Sequence, residues 1–231
     1  MKIIQVPDVG EVQLVKHAKS RSIRMTITHT GGVRITLPKW TPYQAGTAFA
    51  HAKKDWILAH RQTEDKLQHG FAVGKFHHLY FQVNNELTSV STRQKGSELW
   101  VSYPPQLSVD DPSVQTAARR ISIKALRKQA ENLLPKRLSD LADRHGFTYK
   151  SIEVRQLKAR WGSCNNKQEI TLNLFLMQLP WELIDYVLIH ELTHTQALHH
   201  GEDFWRIFET ALPGAKKMRK QLHTYKPSFA S

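Results

Sequence analysis

Trp181-Glu182-Leu183-Ile184-Asp185-Tyr186-Val187-Leu188-Ile189-His190-Glu191-Leu192-Thr193-His194 reads as one buried helix that ends in a pair of histidines. Leu183, Ile184, Val187, Leu188 and Leu192 leave it few polar faces. Pro180 suits the first helical position, where its missing N–H is not needed. On such a helix His190 and His194 lie about 40° apart around the axis and one turn apart along it. Both imidazoles can reach one cation, and Glu191 can reach a water on that cation. His-Glu-x-x-His is the arrangement of a zinc hydrolase, with two nitrogen ligands, a general base and room for water. Zinc lowers the pKa of such a water from about 15.7 to about 7. The bland alternative is two core histidines bonded to backbone carbonyls. It suits a lone histidine better than these three residue types at this spacing.

A catalytic zinc usually has three protein ligands and one open position. One more helical turn from His194 reaches Leu198, which binds no metal. His199 and His200 come next, followed by Gly201. On an unbroken helix His200 would point roughly 120° away from the pair. The helix must therefore stop near Leu198 and the chain fold back, and Gly201 suits a turn. Glu202, Asp203 and Glu209 are oxygen alternatives, and His199 reads as a surface or supporting residue.

Beyond these residues the chain resembles a known family. His190-Glu191-Leu192-Thr193-His194, five residues, His200, then Phe204-Trp205 is similar to the signature of the YgjP-like metallopeptidases. Arg160-Trp161-Gly162-Ser163-Cys164, with Lys158 before it, resembles that family's RWGSC element, and Ile170-Thr171-Leu172-Asn173 resembles the strand that follows. Looser similarities lie at Ser22-Ile23-Arg24-Met25, Gly32-Val33, Pro38, Trp56-Ile57 and Gly74, so the resemblance spans roughly residues 15–225. It implies a metallopeptidase with His190, His194 and His200 as ligands of one zinc ion and Glu191 as general base. A more distant likeness joins the tail pattern to the WLM and Spartan-like proteases, which act on proteins attached to DNA. By resemblance to zincins, the strand at residues 169–174 would hold an extended substrate over the metal.

Composition bounds the rest. At 231 residues, 40% of them hydrophobic, the chain suits one elaborated domain with a real core. No apolar run is long enough to span a membrane, and the first residues lack a signal-peptide pattern. One cysteine leaves no internal disulfide and fits a reducing, cytoplasmic setting. The formal net charge of +13 favours acidic partners, nucleic acid or nucleotides among them, although a solvated basic surface explains it equally well. Lys158 and Arg160 could contact substrate, an oxyanion or a phosphate, or could brace carboxylates of the fold. Cys164 as a nucleophile would leave the histidine pair unexplained.

The pattern predicts an α+β fold. Residues 1–107 read as a β-rich amino-terminal region with one helix, and 108–231 as a zincin-like catalytic region holding the metal helix beside a small sheet. In the first region Ile23, Met25 and Ile27 alternate, Gly31-Gly32 turns the chain, and Val33, Ile35 and Leu37 return. Ala45, Phe49, Ala52, Trp56 and Ala59 predict one helix after Thr41-Pro42. Pro104-Pro105 marks a joint. Asp111-Pro112 opens a long helix toward Gly146, which Pro135 should kink or break. Residues 151–157 and 169–174 read as strands around a loop at 160–164, and two short helices follow the metal helix. The function so predicted is zinc-dependent hydrolysis, of peptides first. Hydrolysis of nucleotide phosphoanhydrides and a nucleic-acid-associated protease or binding protein are the alternatives. Oligomeric state is not legible.

Overall fold

A computed structural model describes residues 1–27, 32–60 and 66–229. Helices and small sheets are mixed along the chain, as the pattern predicts. Two compact units divide it, Met1–Lys66 and Leu67–Ser231.

The first unit is a four-stranded sheet with two helices. β1 (Lys2–Val6), β2 (Gly10–His17), β3 (Arg24–Ile27) and β4 (Val33–Pro38) lie in the order β1-β2-β4-β3, with β2 and β4 parallel. β3 and β4 pair antiparallel as expected; the Gly31 part of the predicted turn lies outside the described residues. α1 (Tyr43–Ala52) and α2 (Lys54–His60) replace the single predicted helix. The break at Lys53 shifts the phase by one residue, so Ile57 is buried and Trp56 is exposed. In α1 the buried residues are Gly46 and Ala50, not Ala45 and Phe49. Gly46 lets the helix approach the sheet, since a Cβ there would sit 2.9 Å from a methyl of Leu37. The side chain of Ala59 lies outside the described residues.

The second unit begins with β5 (Phe71–Val73), β6 (His77–Val83), β7 (Ser91–Lys95) and β8 (Glu98–Tyr103), in the order β5-β6-β8-β7. α3 (Pro112–His145) is the long helix that Asp111-Pro112 and Gly146 predict. Asp111 accepts from the Ser113 amide, and Gly146 closes the far end at φ 70°. Pro135 does not break it. The lost hydrogen bond costs roughly 3 kcal/mol, and burial of Leu126, Leu134 and Leu138 along the same face offsets that. Leu79 and Leu99 of β6 and β8 share this core with α3. Buried glutamines stitch the two together: Gln115 bonds both backbone groups of Leu67, and Gln129 bonds the Lys75 amide and Val73 carbonyl. The strands before Pro104-Pro105 therefore belong with the helix after it. The chain divides near Lys66, not at the expected joint between 107 and 108.

β9 (Ser151–Arg155), β10 (Gly162–Cys164) and β11 (Glu169–Asn173) form a three-stranded sheet in the order β10-β11-β9. A short 3-10 turn, Leu174–Gln178, leads into α4 (Trp181–Thr193), then α5 (Glu202–Ala211) and α6 (Ala215–Leu222). α4 is buried on nearly every side by Leu183, Ile184, Tyr186, Val187, Leu188, Ile189 and Leu192. Arg137 of α3 grips Asp185 of α4 through both carboxylate oxygens and lies 4.7 Å from the Trp181 ring, fixing the start of the metal helix. Among the described residues no helix is long and apolar enough to cross a membrane.

Candidate metal centre

α4 ends at Thr193, earlier than the expected stop near Leu198, and His194 caps it in helical conformation. The i, i+4 relation survives, because the His194 amide still bonds the His190 carbonyl at 3.3 Å. The chain then bends back through residues 195–201. Gly201 is extended at φ −81° and opens α5, so its left-handed freedom is not used. This reversal brings His200 to the pair: its Nε2 lies 3.1 Å from Nε2 of His190. One ring nitrogen from each of His190, His194 and His200 falls within 4.8 Å of the others. Among the described residues this is the one such cluster of three or more histidine, cysteine or carboxylate groups. His199 is exposed, Asp203 pairs with Arg206, and Glu209 accepts from the Gly214 amide, so none of these alternatives joins it.

The donor set fits a zinc ion. Nδ1 of His194 bonds the Ala197 carbonyl at 3.1 Å, which makes it the N–H and leaves the Nε2 lone pair for a cation. Nε2 of His190 and Nε2 of His200 face each other, so a proton or a cation must lie between them. Zinc–nitrogen bonds of about 2.0–2.1 Å place tetrahedral ligand atoms about 3.3 Å apart, close to that separation. Nδ1 of His190 is buried with no hydrogen-bond partner among the described residues. Its ring is held by shape instead, with Phe204 and Phe208 at 5.0 and 5.4 Å between ring centres and Tyr186 at 6.1 Å. Phe204 also touches His194 and His200, at 4.7 and 4.6 Å. Phe204 and Phe208 thus pack against the imidazoles, while Trp205 is half-buried.

Glu191 is 5% exposed and turns toward β10. Its carboxylate accepts from the Cys164 amide, and a Cβ on Gly162 would lie 2.8 Å from its Cγ and Oε1. Gly162 is therefore the residue whose missing side chain makes room for the carboxylate. It stands in the quoted motif, but nothing local says what lies opposite. Gly162→Ala is expected to push Glu191 aside, lowering hydrolysis by about 100-fold with metal retained; activity and metal content together check this.

Burial pushes Glu191 up to about 8, against the opposing effects of the Arg160 charge and the Cys164 amide. Burial first, then the neighbouring His194, His200 and Arg219, pushes His190 down to about 3. Burial also lowers His194. The buried imidazoles thus favour the neutral form that a metal needs. A carboxyl poised near neutrality suits proton transfer. Cys164 is pushed up to about 11, chiefly by burial and also by Glu191, so it is a poor nucleophile.

These shifts have a stability consequence in the metal-free protein. Glu191 keeps its proton in the fold between its ordinary 4.5 and about 8, so stability is lost as pH rises through that window. His190 works the other way, and its contribution is lost as pH falls below its ordinary 6.5 toward about 3. Between pH 6.5 and about 8 the Glu191 effect stands alone of the two. The melting temperature of the metal-free protein is expected to fall there, and Glu191→Gln to flatten the fall. An equal fall in that variant would place the titration elsewhere.

Two expected contacts come out differently. β11 cannot pair with a substrate, because it is the central strand, bonded to β10 on one side and β9 on the other. The edge strand next to Glu191 is β10, read from sequence as loop. The bonds from Asn165 to Glu169 and from Asn173 to Trp161 fix the phase of the ladder, so the amides of Gly162 and Cys164 point away from β11. Lys158 and Arg160 are both exposed on the preceding turn. Arg160 reaches the site through its charge on Glu191.

A histidine cluster built on and beside one helix, with a buried carboxylate next to its first member, belongs to the metal-dependent hydrolases, and among them to the metallopeptidases. The sequence comparison gives the family: the YgjP-like metallopeptidase domain matches residues 21–225, and the chain belongs to that family. No curated protein matches the chain. Among solved structures, it is similar to the metallopeptidase zymogen abylysin of Pyrococcus abyssi. That match is 31% identical, covers 40% of this chain and 93% of that one, and has a TM-score of 0.37. The zymogen jannalysin of Methanocaldococcus jannaschii is 16% identical, with 44% and 94% covered and a TM-score of 0.34. Each likeness is confined to less than half of this chain.

Proposed function

We propose that this metal-dependent peptidase holds one zinc ion on His190, His194 and His200, with Glu191 as general base in a zincin-like catalytic region. The observation that carries the reading is the convergence of three imidazole nitrogens within 4.8 Å beside a carboxylate that is 5% exposed. When bound, zinc supplies Lewis acidity at its open coordination position. Glu191 takes the proton of the attacking water and returns it to the leaving amine. Its burial keeps bulk water from competing for that proton, and the Cys164 amide fixes its orientation. The aromatic wall of Phe204 and Phe208 holds the imidazoles and leaves the β10 side for substrate. An extended peptide pairs there with the outward carbonyls of Gly162 and Cys164 and with the Gly162 amide. Arg160, and Lys158 on the same turn, meet negative charge on the substrate or its oxyanion.

The test is to incubate the zinc-loaded protein with an unfolded polypeptide and, separately, with nucleoside triphosphates. Peptide fragments are expected by mass spectrometry. Release of phosphate or pyrophosphate with no peptide cleavage would replace the peptide substrate by a phosphoanhydride while keeping the same centre.

A further inference from the structure

Asn173 ends β11, is fully buried, and has no part in the proton transfers described above. Its side chain is nevertheless used on every side. Nδ2 donates to the carbonyls of Leu157 at 2.9 Å and Arg160 at 2.8 Å. Oδ1 accepts from the Phe175 amide at 3.2 Å, capping the 3-10 turn, and from the Leu157 amide at 3.4 Å. The Asn173 backbone amide donates to the Trp161 carbonyl at 2.9 Å. One residue thus grips the turn at 157–161 at its first, fourth and fifth positions. The turn lies between regular elements, since β9 stops at Arg155 and β10 starts at Gly162. The turn carries Arg160, which forms no salt bridge among the described residues, and it delivers Gly162 against Glu191. Few side chains can make this clamp. It needs two donors and an oxygen with two lone pairs on one short stem, which asparagine has and aspartate, serine and leucine lack.

We propose that Asn173 is a positioning residue of the active site: its amide locks the 157–161 turn and so holds Arg160, two residues before the Gly162 that faces Glu191, at the rim of the site, where the guanidinium meets negative charge on the reacting substrate. This rests on the peptidase reading above. The competing view is that Asn173 only stabilises the end of a strand. The two differ in what happens once Arg160 is gone. A positioning residue acts through Arg160, so its loss matters little without it; a merely structural residue costs the same in both backgrounds.

The experiment compares wild type, Asn173→Ser, Arg160→Ala and the double variant, each zinc-loaded. Serine keeps a cap for the Phe175 amide but is too short to reach the two carbonyls. Asn173→Asp, which has the shape without the donors, is the second variant if the serine protein does not fold. Zinc content, kcat and KM for an unfolded polypeptide, and amide hydrogen exchange of 157–161 are measured. Asn173→Ser is expected to keep zinc, to lose exchange protection in the turn, and to lower kcat by about 10- to 100-fold with little change in KM. In the Arg160→Ala background the same substitution is expected to change kcat by less than about twofold. An equal loss in both backgrounds, or unchanged protection and kcat in Asn173→Ser, would overturn the proposal. If wild type cleaves no peptide, the peptidase reading fails by itself. The exchange arm then still decides the clamp: lost protection upholds it and retained protection removes it.

Discussion

Glu191→Gln is expected to lower hydrolysis by roughly 10²–10⁴ while leaving metal content and fold intact. The amide has nearly the shape of the carboxylate, so it fits the space left by Gly162 and its oxygen still accepts from the Cys164 amide. What it loses is the ability to take a proton from water. The buried setting makes this loss hard to mask, because no bulk base reaches a side chain that is 5% exposed. Turnover of peptide by purified variant and wild type, with zinc measured in both, checks it. A variant within tenfold of wild type would remove Glu191 from the base role.

The second large effect is at the third histidine. His200→Ala is expected to weaken zinc binding by more than about 100-fold, beyond what the loss of a supporting residue costs. His199→Ala should leave binding near wild type. The contrast follows from the chain reversal after Thr193, which sets Nε2 of His200 3.1 Å from His190 and leaves its neighbour His199 outside the cluster. Zinc titration against a competing chelator reads both variants. Retention in His200→Ala with loss in His199→Ala would reverse the assignment.

Features written within one element were legible in the sequence. Asp111-Pro112 and Gly146 mark the ends of α3 because caps are local chemistry. His190, Glu191 and His194 can be placed on one helix from their spacing alone. His200 could not be, since a turn of unknown course separates it from the helix; it stood as a candidate only on the condition that the chain folds back after His194. What was missed depends on distant partners. β10 is three residues, Gly162-Ser163-Cys164, with no apolar alternation, and is a strand because β11 pairs with it. Sheet order put β11 in the middle and thereby moved the proposed substrate edge to β10. The phase of Trp56 and Ile57 turned on a break at Lys53 that no glycine or proline announces. Pro104-Pro105 reads as a boundary, yet the strands before it share a core with α3. Asn173 was visible as part of a motif, but its bonds to 157–161 exist only in the folded chain.

The most direct test of the central claim is to strip the protein of metal and titrate zinc back while following peptide cleavage. The account predicts no cleavage without metal, recovery that levels off near one equivalent, and no recovery in His194→Ala at the same zinc. Full cleavage by the stripped protein, or equal recovery in His194→Ala, would contradict it.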